Sequence, residues 1–535
     1  MLSFTTFDKA LLHMAIFLLA TFIAIYLISN AIYNRYLHPY SKFPGPFWAS
    51  ITDLWYFRRV RYGLAGHNDL DLHKKYGSMV RISPSQILIS DPAAIEIIYG
   101  PRNVFPKAEF YSGFDPSISL RAGNFEERDE AKHTLRRSIV APLYTQASIL
   151  QFEPCVDRLI ALFYQRMETL AEAGTQIDMS TWLRKYTFDV IGEIFYGRKG
   201  GFGFIRDDID YNNWCALMET MPPLSSAITY IAKPLRPLVF AAEMIFPATR
   251  AGAKGFFDVI AQAKSAVKQR VAERAEKKSD NKNDLLNRLL DLINDNPDPK
   301  VHWTEQDVTA EIWTMIWAGS DTTAVALTSI FYHLHKNPAT LNKLRAEIEV
   351  AFSDGRLTYP LRYTDCIKLP YLHAVVREAM RMHSSLGLGL PRTVPPSGSH
   401  ICGIPFPAGY GVIMNACAVN FDQDIFGSDA EIFSPERWIR DGEKKANEME
   451  RHMLQFGYGP RICIGKHGTN VAMYKLLPTI LRDFGFEGLE GEEKTWEVFG
   501  GWFHHQKGVD VVVKKRRQGG QRAIVEVPGD KWRNQ

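Results

Sequence analysis

Cysteine is scarce in this chain: Cys155, Cys215, Cys366, Cys402, Cys417 and Cys463 are the only six in 535 residues. No two stand close enough to form a zinc pair, and so few in so long a chain build no disulfide framework. A reducing compartment is the simpler reading. An excess of charge is missing too. The net charge of +4 is too small to imply nucleic acid, and no aromatic-studded basic groove is visible. No GxGxxG follows a strand, so a nucleotide cofactor is not expected here. There is no internal repeat. What remains is ordinary for a globular enzyme, with 46% hydrophobic and 23% charged residues. The length permits one large domain or two.

One stretch lacks charge altogether. From Ala10 to Asn34 there is no Asp, Glu, Lys or Arg, and its centre reads MAIFLLATFIAIYLIS. These 25 residues span about 37 Å as a helix at roughly 1.5 Å per residue, enough to cross a hydrocarbon core of ~30 Å. The alternatives are a cleaved signal peptide or a buried core helix. A signal peptide would have a shorter apolar region, a basic start and small residues at a cleavage site. A retained anchor over residues 1–34 is therefore expected. Arg35, Lys42, Arg58, Arg59 and Arg61 follow it, whereas Asp8 and Lys9 cancel before it, which leaves the rest of the chain on the cytosolic side.

The KFPGP segment after the anchor cannot continue a helix and reads as a stiff elbow. SMVRISPSQILISD reads as two short strands. From Glu126 to about Arg274 the periodicity is helical, broken by loops such as GRKGGFGF and TMPPLS. RAEKKSDNKND and NDNPDPK read as solvated linkers. A long helix is predicted from a Thr304 cap to about Lys336, with Pro338 stopping it and Glu305, Asp307 and Glu311 suiting its N-terminal end. After Pro391 come strands and loops, with ICGIPFPAGYGVIM as a hairpin. The fold class is mainly α with small β-sheets.

Three constellations stand out on chemical grounds. FGYGPRICIG places Cys463 among Gly457, Gly459 and Gly465, where the chain can fold tightly and approach a flat object closely. A helix follows, so backbone N–H groups, the helix dipole and Arg461 are expected to lower the thiol pKa. A lone thiolate suits an axial metal ligand better than a disulfide or zinc. The alternative is a structural cysteine in a glycine turn. SDTT, Ser320 to Thr323, puts a carboxylate and hydroxyls in the middle of an apolar helix, where an unpaired Asp321 would be costly. Ala318 and Gly319 let a planar cofactor or O2 approach, and hydroxyls bonding back to carbonyls loosen such a helix. The alternative is a polar patch bonded to a neighbouring helix. Glu378 and Arg381 lie one helical turn apart and can pair, which by itself is usually a surface ion pair of little worth.

FGYGPRICIG matches the F-x-x-G-x-R-x-C-x-G haem loop of the cytochrome P-450 family. WAGSDTT resembles that family's A/G-G-x-D/E-T-T motif, EAMR its E-x-x-R pair and PERW its P-E-R segment. The resemblance runs from the elbow to about Lys514, giving a catalytic domain over 35–514 and a basic, disordered tail over 515–535. It implies the cytochrome P-450 fold behind a single transmembrane helix, with haem b bound through Cys463, which would push electron density onto iron and favour O–O cleavage. It also implies Phe456 in the haem loop, and Arg137, Arg392 and Arg461 on the haem carboxylates. His133 stands where the family usually has tryptophan and can still donate to a haem carboxylate, and Thr469 stands where many relatives have alanine. Asp321 and Thr322 become the proton relay for O2 activation, worth roughly 10²–10⁴ in rate. Glu378, Arg381 and Arg437 become scaffold.

Two electrons per turnover imply an external membrane-bound NADPH-cytochrome reductase, docking on Arg461, Lys466, His467 and Lys475. The stretches EFYSGFDPSISL, Trp313 and Met315, SSLGLGL and GWFHH would contact an apolar substrate. PLRPLVFAAEMIF is either core or an entry route dipping into the bilayer. LHPYSKFPGP and LPRTVPPSGSHICGIPFPAG look most like fungal microsomal, pisatin demethylase-like members, which implies an endoplasmic reticulum monooxygenase in secondary metabolism. The rivals are the same fold running an O2-independent rearrangement or dehydration, or a non-catalytic haem-binding membrane protein.

Overall fold

The computed structural model describes residues 6–66, 68–102, 104–115, 121–276, 283–295, 302–489 and 495–516. Helix Thr6–Ile32 opens the chain. Its apolar stretch continues to Leu37 with a mean hydropathy of 2.5, and residues 11–30 are all exposed, although Asn34 near its end is buried. An apolar surface of this length left bare is a candidate membrane span. The elbow is packed: Tyr40 and Phe43 lie with ring centroids 5.8 and 5.3 Å from Phe406. Gly45 passes so close to the next strand that a Cβ would lie 2.3 Å from the Arg81 carbonyl.

The long central helix runs Glu305–Lys336 and is buried along most of its length. Its start is fixed as the sequence predicts. The Thr304 amide and hydroxyl donate to Asp307 Oδ2 at 3.0 and 2.6 Å, closing a capping box. Thr309, Thr314, Thr322 and Thr328 each donate to the carbonyl four residues back. This satisfies their hydroxyls inside an apolar core without a foreign partner. Helix Met179–Tyr196 packs along one side, itself almost wholly buried.

The TMPPLS segment is not a break. Pro222 and Pro223 lie inside helix Trp214–Ile228. Two missing amides are tolerated because Met221 to Leu224 are buried against neighbouring elements, so packing overrides propensity. The two predicted strands are Met79–Ser83 and Gln86–Ile89, paired antiparallel. Strand Gly411–Met414 joins the second in parallel, and Arg392–Thr393 pairs antiparallel with its start. The predicted C-terminal-half hairpin is therefore shorter, Ser399–Ile401 with Ile404–Phe406, and GVIM leaves it for the larger sheet. A second hairpin joins Glu497–Phe499 to His505–Lys507. Strand Asp510–Lys515 closes a three-stranded sheet with Gln176–Asp178 and Phe484–Glu487. Of the expected basic tail only Lys515 and Arg516 are described, Lys515 within that strand. The remainder lies outside the described residues, as do most of RAEKKSDNKND and NDNPDPK.

Candidate active site

The Cys463 loop closes one side of a large internal cavity, and the central helix closes the opposite side with Ala318, Gly319, Thr322 and Thr323. Two glycines shape the loop. Gly457 and Gly459 have φ of +72° and +65°, and a Cβ on Gly459 would lie 2.0 Å from the Tyr99 carbonyl. The Cys463 amide donates to the Phe456 carbonyl at 2.8 Å, and helix Lys466–Asp483 begins just beyond. Cys463 is the one exposed cysteine among the six, and what it is exposed to is the cavity. Burial pushes the thiol pKa up, against the lowering by the Gly465 and Lys466 amides and by Arg137. The expected lowering is present but outweighed. Coordination to a metal cation would supply the rest, since it deprotonates a thiol outright.

Cations converge beside this loop. Arg137 Nη2 donates to the Ile462 carbonyl at 2.8 Å. Arg392 Nη1 donates to Tyr111 Oη at 3.0 Å. Arg461 reaches Glu130 and the Glu127 carbonyl at 3.0 and 2.9 Å. His133 lines the same wall and is pushed down to about 3 by burial and by Arg461, Lys107, Arg137 and Arg392. A neutral imidazole remains that can still donate one N–H. Lys107 completes the group and was missed by sequence reasoning. It pairs across a β-bridge with Arg392 and sits 4.2 Å from the Tyr111 ring centroid. Burial, Arg392 and Arg461 hold its pKa well below the usual lysine range. Positive charge is crowded in this wall, since Arg392 and Arg461 lower Lys107 and His133, although Glu130 already answers Arg461. A dianionic edge of a planar ligand between this wall and Cys463 would fit that crowding.

The oxygen-motif residues part ways. Thr322 faces the cavity, while Asp321 is fully buried on another side of the helix and takes no part in the cavity wall. Its carboxylate meets Arg184 Nε at 3.3 Å and His505 Nε2. Burial raises its pKa, but His505 and Arg184 together outweigh this and hold it ionised. Gly319 has a packing reason as well, because a Cβ there would lie 2.5 Å from Ile191 Cδ1. Thr323 and Thr469 share a hydrogen bond of 3.1 Å, which gives the unusual Thr469 a partner.

Glu378, Arg381 and Arg437 form one fully buried network. Arg381 grips Glu378 through Nε and Nη2 at 2.9 and 2.8 Å, and Arg437 Nε reaches Glu378 Oε1 at 2.9 Å. Trp438 Nε1 adds a bond of 2.9 Å to Glu378 Oε2. Arg381 also donates to the Asn420 and Ala430 carbonyls at 2.8 and 2.7 Å. None of the three lines the cavity.

Tyr111, Phe114, Trp313, Met315, Ser385, Leu386, Trp502 and Phe503 line the cavity as expected of substrate contacts, but His504 and His505 do not. An acidic corner interrupts this apolar wall, where Asn124 donates to Glu311 at 2.6 Å and Glu126 is pushed up to about 7 by burial. Lys475 is also misplaced by the sequence reading. It is buried and paired with Glu153 and Asp157 at 3.0 and 2.8 Å, so it cannot belong to a docking face. A shallow groove on the cysteine side is lined instead by Lys444, Arg451 and Lys466.

A cavity-lining thiol facing a helix with cavity-exposed hydroxyls, beside a cation-rich wall, is the site of a haem-thiolate enzyme. The family model for cytochrome P-450 matches residues 45–508, and the chain belongs to that family. Among its relatives, cytochrome P-450 monooxygenase gsfF of Penicillium aethiopicum is 36% identical over 92% of this chain and 96% of its own. Cytochrome P-450 monooxygenase cicH of Emericella nidulans is 34% identical over 91% and 96%. The pisatin demethylase of Fusarium vanettenii is 32% identical over 88% of each chain. The chain is a haem-dependent monooxygenase.

Proposed function

We propose that Cys463 is the axial ligand of haem b, in a catalytic domain over 35–514 behind a membrane anchor over 1–34. Lys107, His133, Arg137, Arg392 and Arg461 hold its two carboxylates, and Phe456 packs in the loop that presents the sulfur. When bound, the haem supplies reductive activation of O2, and one oxygen atom enters an apolar small molecule. Thr322 offers a hydroxyl at the cavity surface and orders whatever accepts protons there. Asp321, held ionised on the buried side of the helix, takes up each proton before it is passed toward Thr322. Trp313, Met315, Trp502 and Phe503 exclude water from the reacting centre and orient the substrate's apolar body. Glu378, Arg381 and Arg437 fix the chain leading into the cysteine loop.

Electrons come from NADPH through a membrane-bound cytochrome reductase, which docks on the groove lined by Lys444, Arg451 and Lys466. The protein sits on the endoplasmic reticulum by a single pass, catalytic domain in the cytosol, and tailors a secondary metabolite. The carrying observation is that the Cys463 sulfur and Thr322 open into one cavity. The test is spectroscopic. The reduced protein with carbon monoxide should give the strongly red-shifted Soret band of a sulfur-bound ferrous carbonyl, and Cys463→Ser should abolish that band. A parent protein that binds haem without this band refutes the assignment.

A further inference from the structure

Asp321 is enclosed by two basic side chains from separate parts of the chain. Arg184, on helix Met179–Tyr196, reaches it at 3.3 Å and is itself held at 3.0 Å by Glu219 of helix Trp214–Ile228. His505, on the C-terminal hairpin, donates through Nε2 to Asp321 Oδ2. Both side chains are almost wholly buried. A bare carboxylate at this depth would take up a proton, because desolvation acts on its charged form. Its charge and its direction are therefore set by these two neighbours.

The hairpin is placed to do this. Gln506 Nε2 donates to the Val325 carbonyl at 3.1 Å, one helical turn beyond Asp321. Phe503 is bridged to Leu386, and Trp502 and Phe503 line the cavity. One short strip of chain thus touches the cavity, the central helix backbone and the Asp321 carboxylate. Histidine is the member of this strip that has no packing reason to be polar, since rings of Phe499 and Phe503 flank it at 5.4 and 6.0 Å.

Resting on the monooxygenase reading, we propose that His505 is a positioning residue for oxygen activation: its hydrogen bond orients the Asp321 carboxylate at the central helix, and so sets how readily that carboxylate takes up a proton and passes it toward Thr322. The test uses the haem-loaded full chain in membranes with cytochrome reductase, NADPH and O2, without an added organic substrate. Variants are His505→Leu, His505→Gln, Asp321→Asn and the His505→Leu/Asp321→Asn pair. We expect His505→Leu to keep the thiolate carbonyl band yet oxidise NADPH about tenfold more slowly, within the ~10²–10⁴ that positioned proton transfer supplies. Its solvent deuterium isotope effect should rise. The double variant should lose nothing further, since both changes act on one group. His505→Gln, which retains an N–H donor at the Nε2 position, should recover most of the rate.

A readout independent of turnover is infrared. At neutral pH, His505→Leu should gain a protonated-carboxyl band that the double variant lacks. Parent rates with no new band in a haem-loaded His505→Leu protein overturn the proposal, as does full additivity with Asp321→Asn. Where His505→Leu does not accumulate, His505→Asn, too short to reach Asp321, takes its place under the same two readouts. Loss of the thiolate band in the parent would refute the haem assignment alone, because the infrared comparison needs no haem.

Discussion

At the scale of single residues, position relative to the cavity decides what each member of a motif can do. Thr322 and Asp321 are consecutive, so on a helix they diverge by about 100°, and only the threonine meets the cavity. Thr322→Ala removes that hydroxyl and leaves Cys463 and the cation wall untouched. The expected protein binds haem with an unaltered carbonyl band but releases peroxide in place of product. Product formed per NADPH should fall about tenfold or more, in keeping with a positioned proton transfer. An unchanged yield would take Thr322 out of the relay. The residues of this site that were legible in the sequence are those whose neighbours in sequence are also their neighbours in space. Cys463 and its glycines, Thr322, and the Glu378–Arg381 pair are local patterns. Lys107 was not legible, for what makes it a site residue is a β-bridge to Arg392, far along the chain. Arg184 and His505 were hidden for the same reason. Lys475 looked solvent-facing because nothing nearby in sequence shows that Glu153 and Asp157 close over it.

At the scale of elements, the central helix and the buried Glu378 network carry the architecture that holds the site. The helix was legible because its start rests on a local capping box and its stop on Pro338. Helix Trp214–Ile228 was not, because burial of its two prolines outweighs their intrinsic preference. Two carboxylates serve the network: Glu378 answers both Arg381 and Arg437 with no solvent contact, and Asp429 adds a 2.8 Å pair to Arg437. Glu378→Gln keeps the shape but leaves the buried Arg381 guanidinium without a carboxylate, and breaking such a buried pair costs about 3–5 kcal/mol. That is comparable with the whole stability of many domains, ~5–15 kcal/mol. The variant should accumulate mainly as insoluble, haem-free protein, and soluble haem content per unit of chain measures this. Near-parental haem content would mean that the network is dispensable. The central helix also contains an acid-sensitive point. His333 stacks on Phe433 at 4.9 Å and is pushed down to about 3 by burial, His383 and Arg381. The unfolded chain takes up this proton below its ordinary value near 6.5, and the folded chain does not. Stability is therefore lost as pH falls from 6.5 toward 3, at up to ~1.4 kcal/mol per pH unit. His333→Phe keeps the ring stack and should flatten that part of the acid-denaturation profile by about one proton.

At the scale of the whole molecule, two apolar surfaces stand out as uncovered among the described residues. The first is the N-terminal helix. The second is the loop-and-helix segment that sequence reasoning left between core and membrane entry. In helix Arg236–Glu243 no residue is buried. Leu235, Leu238, Ile245 and Phe246 are exposed at 51, 67, 73 and 57%, which rules out core. The segment is nonetheless pinned in place, because Glu243 takes a two-pronged bond from Arg61 at 3.1 and 2.7 Å. A fixed apolar patch next to basic residues is the composition that lies in a lipid interface, with apolar groups sunk and cations at the headgroups. Arg61 ends helix Leu54–Arg61, so this bond ties the patch to the part of the chain that follows the anchor. A chain lacking residues 1–34 should therefore still sediment with vesicles containing anionic lipid. Leu238→Glu with Ile245→Glu in that shortened chain should release it to the supernatant, while the carbonyl band stays intact because neither residue lines the cavity. Each added charge placed in an interface opposes burial of the patch directly. Full membrane binding by the doubly substituted chain would show that the patch touches no lipid, and that the anchor alone holds the domain at the bilayer.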